Sequence, residues 1–267
     1  ELKNPYRSNS LELRELWKKV RNLDDDITEY MSKYQYSRNI DETIFQRIND
    51  DEITLCLNYD GLYGINNINK LLQLTNKNEA VMWNLNIYKK GDPVLFNETQ
   101  RFSPILYNNL KGKIVDVIRY DDKIKFDIEI DIEIKPLDIE FLDLELVNMF
   151  DSKKPIVRFY VFQSSDTEGD EDENDMKTVV PFQVAYAVSI HKAQGLEYES
   201  VKVVITNEIE EKITHNIFYT AITRAIKNLT VYWSPETQKF ILYNMKKMFD
   251  NRDYNIFTKK NGSLIGM

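Results

Sequence analysis

The chain is 267 residues long, 42% hydrophobic and 29% charged, with 8 Gly, 7 Pro and 1 Cys. That length holds one large domain or two modest ones, and the composition excludes wholesale disorder, a collagen repeat and a coiled-coil rod. The formal net charge of −8 rests mostly on Asp166 to Asp175, with seven carboxylates in ten residues; without it, 36 acidic residues face 35 basic ones, a balance that neither favours nor excludes nucleic acid.

A lone cysteine leaves no disulfide framework and no multi-cysteine zinc site. Two histidines leave little for a His-based metal centre. No apolar run approaches the ~20 residues of a membrane span. The opening Glu1-Leu2-Lys3-Asn4-Pro5 is not a signal peptide and lacks an initiator Met. The chain therefore reads as a piece of a longer, cytoplasmic polypeptide.

Leu13, Leu16, Trp17 and Val20 follow the spacing of one buried helix face, with Asn9 and Glu12 as the expected cap. A second helix is expected over 25–36. Ile53 to Leu57 reads as a buried strand with Cys56 packed inside it, and Asp51-Glu52 as its solvated start rather than a magnesium-binding pair. A turn at Asp60-Gly61 precedes a helix through Ile65, Ile68, Asn69 and Leu72.

From about Tyr88 the pattern is β. Pro93–Phe96, Ile114–Ile118 and Ile156–Phe162 are strand-like. Residues 123–135 alternate, isoleucines and Phe126 against Lys123, Lys125, Asp127, Glu129, Asp131, Glu133 and Lys135, as in a strand buried on one side and wet on the other. After Pro136 the phase slips at Phe141-Leu142, which implies a bulge or a break. The acidic stretch reads as a solvated loop, 164–176.

Strands at 183–190, 201–205 and 229–233 then alternate with helices at 214–227 and 237–249, as in a parallel sheet covered by helices on both faces. The expected organisation is an α/β domain, 1–88 and 181–267, interrupted by a small antiparallel β-barrel insertion, 89–180. His215 falls in a helix's first turn, where solvent is its expected environment. Trp17 and Trp233 are expected in the core; that Phe96, Arg101 and Phe102 in the insertion's first loop meet a nucleic-acid strand is implied by the family resemblance of the segments quoted next.

No G-x-x-x-x-G-K-[ST] phosphate loop occurs, nor a Ser-His-Asp or metal-ligand constellation. Three segments remain: Leu2-Lys-Asn-Pro-Tyr-Arg-Ser8, Val188-Ser-Ile-His-Lys-Ala-Gln-Gly-Leu-Glu-Tyr198 and Phe218-Tyr-Thr-Ala-Ile-Thr-Arg-Ala225. In order and character they resemble motifs IV, V and VI of the superfamily 1 helicases, specifically the second RecA-like domain of the RecD-like group. Asn58 to Gln73 resembles that family's motif IVa. Gly91-Asp-Pro-Val94 and Tyr107 to Gly112 resemble the approach to its β insert. The resemblance spans about 2–233.

It implies a RecA-like fold and the C-terminal motor half of an ATP-dependent DNA helicase. Arg7 and Arg224 would act as arginine fingers on ATP held by an upstream P-loop domain that also supplies the Mg2+ ligands. Glu197 would meet the ribose, with Gln194, Gly195 and Tyr219 beside the nucleotide. Ser189, His191, Lys192 and Arg101 would contact single-stranded DNA, with 5′→3′ travel. An RNA-directed superfamily 1 motor shares these motifs. A degenerate docking module, with the acidic stretch as bait for a basic groove, stands against intact Arg7, Glu197 and Arg224.

Overall fold

The computed structural model describes residues 8–97, 100–147, 154–163 and 177–262. Arg7, with the rest of the first motif up to it, and the acidic stretch 164–176 lie outside the described residues. The chain divides into two compact units, 1–68 with 187–267, and 69–186.

The first unit is built on five parallel strands: β1 (Ser37–Arg38), β2 (Glu52–Cys56), β11 (Ala187–Ser189), β12 (Tyr198–Val204) and β13 (Ala225–Tyr232), in the spatial order β1-β13-β12-β2-β11. All five residues of β2 are buried. Its cysteine is fully enclosed, and burial pushes the thiol up to about 12. Helix α1 (Leu11–Asn22) buries Leu13, Leu16, Trp17 and Val20. Its cap is Ser10, one residue later than the sequence implies: the hydroxyl accepts from the Leu13 amide at 3.1 Å and donates to Glu12. Helix α2 covers Ile27–Lys33. Helix α3 (Ile65–Thr75) follows the expected turn at Asp60-Gly61 and buries Ile65, Ile68 and Leu72.

Glu52 overturns the expectation of a solvated strand start. It is 4% exposed and pairs with Lys202 on β12 at 2.9 Å. The Lys202 ammonium also donates to the carbonyls of Thr43 and Gln46, pinning the loop ahead of β2. Asp51 accepts from the Glu199 amide at 3.0 Å.

The second unit opens on a hairpin of β3 (Ala80–Trp83) and β4 (Asn86–Lys89). Six antiparallel strands follow: β5 (Pro93–Phe96), β6 (Lys111–Arg119), β7 (Lys123–Ile130), β8 (Glu145–Val147), β9 (Ile156–Phe162) and β10 (Phe182–Val184). They form one sheet in the order β10-β5-β6-β7-β9-β8. One face of the sheet closes over Phe96, Phe102, Phe126, Phe159 and Phe182.

The other face of β7 is not wet along its length. Lys125 and Asp127 are 8% and 1% exposed. Asp127 takes a bidentate pair from Arg158 on β9 at 2.7 and 2.8 Å, and Lys125 bonds Asp116 on β6 at 2.9 Å. Burial alone would lower the Lys125 pKa, but Asp116 and Asp127 outweigh it and raise it. Alternation alone does not show that neighbouring strands bring the opposite charges. Strand β7 stops at Ile130, and Pro136–Ile139 forms a 3-10 turn where the phase slips.

The expected strand 183–190 is two strands, one in each sheet, parted at Ala185-Tyr186. The expected helix 214–227 is shorter. Helix α4 (His215–Ile222) ends at Thr223, and β13 begins at Ala225 because the Tyr198 amide claims the Arg224 carbonyl at 2.9 Å. Helix α5 (Pro235–Gly262) follows.

Candidate functional site

Two ends of the parallel sheet receive the motif residues. Ser189 pairs with Cys56 at the C-terminal end of the strands, the end where open α/β sheets bind ligands. The chain then turns tightly. The Ser189 hydroxyl accepts from the Lys192 amide at 3.2 Å and its carbonyl from the Ala193 amide at 3.2 Å; the His191 carbonyl accepts from Gln194. Ser189 is thus 7% exposed and holds the turn, while His191 and Gln194 are exposed and Lys192 half-buried. Ser189, His191 and Lys192 are brought together.

The segment 190–197 then crosses to the opposite end, where Tyr198 starts β12. Gly195 sits midway with φ +90°, a backbone conformation that side-chain-bearing residues rarely adopt. A Cβ there would meet nothing within 4 Å, so the conformation, not crowding, asks for glycine.

Arg224 is 5% exposed between α4 and β13. Its Nε donates to the Thr220 carbonyl at 2.9 Å, one Nη to the Leu196 carbonyl at 3.0 Å and the other to the Thr223 hydroxyl at 3.1 Å. The Leu196 bond ties the fifth and sixth motifs together, with half-buried Glu197 as the next residue. Thr223, 4% exposed, donates back to the Tyr219 carbonyl at 2.8 Å. Sequence reasoning missed Thr223; its place directly before the arginine was the available signal. Tyr219 is half-buried on α4, its ring 6.3 Å from that of His215. His215 is not simply solvated: its Nε2 lies 2.8 Å from the Val20 carbonyl on α1.

Ser8 bonds the Ile226 carbonyl through its hydroxyl, and Trp17 donates to the Ile222 carbonyl at 3.1 Å. The start of the described chain is therefore fastened on both sides of Arg224.

Arg101 belongs to the second unit. Its side chain is 5% exposed, pairs with Asp143 and lies over the Phe102 ring at 4.6 Å. Phe96 and Phe102 are fully buried, so neither presents a ring to a strand. The Asp92 of the Gly91-Asp-Pro-Val94 motif is fully buried as well. It accepts from the Lys89 amide, Gln73, Asn76 and the Tyr186 hydroxyl. That motif is structural: it knots the residues where the chain enters and leaves the unit.

Among the described residues no group of three His, Cys, Asp or Glu side chains forms a metal site, and no helix is long and apolar enough to cross a membrane.

Residues 184–232 match the family of the UvrD-like helicase C-terminal domain. Over 95 residues the chain is 35% identical to the uncharacterized protein MJ1519 of Methanocaldococcus jannaschii, covering 36% of this chain and 7% of that protein. Among solved structures it resembles the Bacteroides Pif1 helicase in complex with ADP-AlF3 and ssDNA, with a TM-score of 0.50 at 13% identity. Bacteroides Pif1 bound to ssDNA gives 0.50 at 11%. Each alignment covers 94% of this chain and 56% of the other, so the chain spans a little over half of those proteins. The family match covers residues 184–232, and the solved structures share the fold of this chain.

Proposed function

We propose that this chain is the second motor domain of an ATP-dependent DNA helicase or translocase of the RecD-like group. It works with an upstream RecA-like domain of the same polypeptide, which carries the P-loop and the Mg2+ ligands. Arg224 and Arg7 reach the γ-phosphate of ATP bound by that domain, and Glu197, with Gln194, Gly195 and Tyr219, flanks the nucleotide. Ser189, His191 and Lys192 face single-stranded DNA at the other end of the sheet, where contacts to the backbone set register without reading sequence.

The observation that carries this reading is the bond from the Arg224 guanidinium to the Leu196 carbonyl, which sets the arginine beside Glu197. A guanidinium fork suits phosphate oxygens. Here it is held by two carbonyls and a hydroxyl, which fix the orientation of the fork. Closure of two domains on ATP lets such a group stabilise charge developing on the transferred phosphoryl, an effect worth about 10³–10⁵ in rate.

The test is steady-state ATP hydrolysis by the full-length protein. Arg224→Ala lowers kcat by about 10³ or more while ATP binding is retained. An unchanged kcat removes Arg224 from the site. The isolated chain, lacking a P-loop, turns over no ATP; sustained turnover would contradict the division of labour.

A further inference from the structure

Helices α1 and α4 pack side by side in opposite directions. The His215 Nε2 lies 2.8 Å from the Val20 carbonyl, Trp17 donates to the Ile222 carbonyl at 3.1 Å, and Ser8 bonds the Ile226 carbonyl. The last two contacts bracket Thr223 and Arg224 on one side and the first turn of α1 on the other. Arg14 stands at the end of that turn. Residues three or four apart share a side of a helix, so Arg14 lies on the side of Trp17, which meets α4.

Lys18 and Arg21, next along that side, are exposed; of the three cations only Arg14 is half-buried. Its Nε is enclosed and has no hydrogen-bond partner among the described residues. The facing segment brings no counter-charge, since 214–226 holds no Asp or Glu. On α1 itself, the Glu12 carboxylate accepts from the Ser10 hydroxyl at 2.9 Å, and Glu15 lies 3.9 Å from Lys18. Buried donors are nearly always satisfied, and leaving one without an acceptor costs more than a typical bond contributes. A covered guanidinium nitrogen close to the Thr223-Arg224 turn therefore suits an anion that none of the described residues supplies.

We propose that Arg14 is a further phosphate-binding residue of the nucleotide site, taking an oxygen of the ATP triphosphate that the upstream domain brings to Arg224. The inference rests on the helicase reading for the nucleotide, and it adds a residue outside the three motif segments. A guanidinium suits the role better than an ammonium: it keeps its charge throughout, and Nε with one Nη makes a fork for two oxygens. The contact is made in the ground state and kept in the transition state. Arg14 thus sets affinity for ATP, whereas Arg224 sets the rate.

The experiment compares Arg14→Met with Arg224→Ala in the full-length protein. Methionine keeps the apolar stem and removes both the charge and the stranded N–H, so the melting temperature without nucleotide stays level or rises. The Kd for a fluorescent ATP analogue, and with it the KM for ATP, rises about ten- to a hundredfold, as for a lost bond to a charged group. The kcat stays near that of the wild type, while Arg224→Ala lowers it. Wild-type Kd and KM in Arg14→Met overturn the assignment. A lowered melting temperature or a failure to fold overturns it as well, because either makes Arg14 a structural residue. Wild-type kcat in Arg224→Ala would instead count against the reading of the site itself.

Discussion

The Ser8 hydroxyl donates a hydrogen bond to the Ile226 carbonyl, 218 positions along the chain. Ile226 stands two residues beyond Arg224, so the residue that follows Arg7 is fastened beside the end of the sixth motif. Among the described residues, this hydroxyl joins segments from opposite ends of the polypeptide.

Ser8→Ala tests that fastening. Losing the bond leaves a half-buried carbonyl without its donor and destabilises the fold by about 1–3 kcal/mol. At roughly 2–4 °C per kcal/mol for a chain of this size, thermal denaturation reads it directly. In the full-length protein kcat for ATP falls with it, if Arg7 acts as proposed.

Thr223 accepts from Arg224 and, through the same hydroxyl, donates to the Tyr219 carbonyl. Thr223→Val removes the acceptor for one guanidinium nitrogen. A hydrogen bond to a charged group contributes about 1.5–3 kcal/mol, so kcat should drop about ten- to a hundredfold with the KM for ATP little changed. Thr223→Ser restores the hydroxyl and the rate. Equal losses in the valine and serine variants would show that packing, not the hydroxyl, matters.

The Lys202–Glu52 pair is buried on both sides, at 5% and 2% side-chain exposure. Lys202→Met strands the Glu52 carboxylate and costs about 3–5 kcal/mol, a large part of a typical 5–15 kcal/mol. Adding Glu52→Leu recovers most of the loss, since the stranded charge is gone. A double-mutant cycle in urea measures the coupling; a double variant no better than Lys202→Met would place the cost in the loop 41–50 instead.

Cys56 predicts an alkaline limit. Its folded thiol, pushed up to about 12 by burial, holds its proton through a range where an unfolded thiol near 9.0 has lost it. The folded state therefore binds more protons, and stability falls as pH rises from about 9 towards 12, by up to about 1.4 kcal/mol per pH unit. Below 9 the contribution is fully present. Urea midpoints across that range show the decline; Cys56→Ala removes the part that begins near pH 9, while Tyr36 and Tyr88, also pushed up to about 12 by burial, keep the part above 10.

Much of this was legible in the sequence because it is local. Pro93–Phe96 and Ile156–Phe162 form β5 and β9 with the expected bounds, and the face of α1 is the one its spacing implies. What escaped depends on partners distant in the chain. Asp127 reads as a wet residue until Arg158 arrives from β9, and Glu52 until Lys202 arrives from β12. Arg224 reads as helical until β12 takes its carbonyl. Arg101 reads as a free cation until Asp143 pairs with it. The three motif segments could be located in sequence, but not the bonds from Thr223 and Leu196 that position their arginine.

The segment 190–197 joins the two ends of the parallel sheet without a helix of its own, from the level of Cys56 back to that of Asp51. Five strand residues span roughly 16 Å, and a stretched chain of this length reaches about 27 Å. The excess length is taken up in turns that the Ala193 and Leu196 amides close onto the Ser189 and Ala193 carbonyls. His191 at one end and the carbonyl that holds Arg224 at the other are joined by this one short tether, and under the proposed function strand movement and the timing of hydrolysis share it.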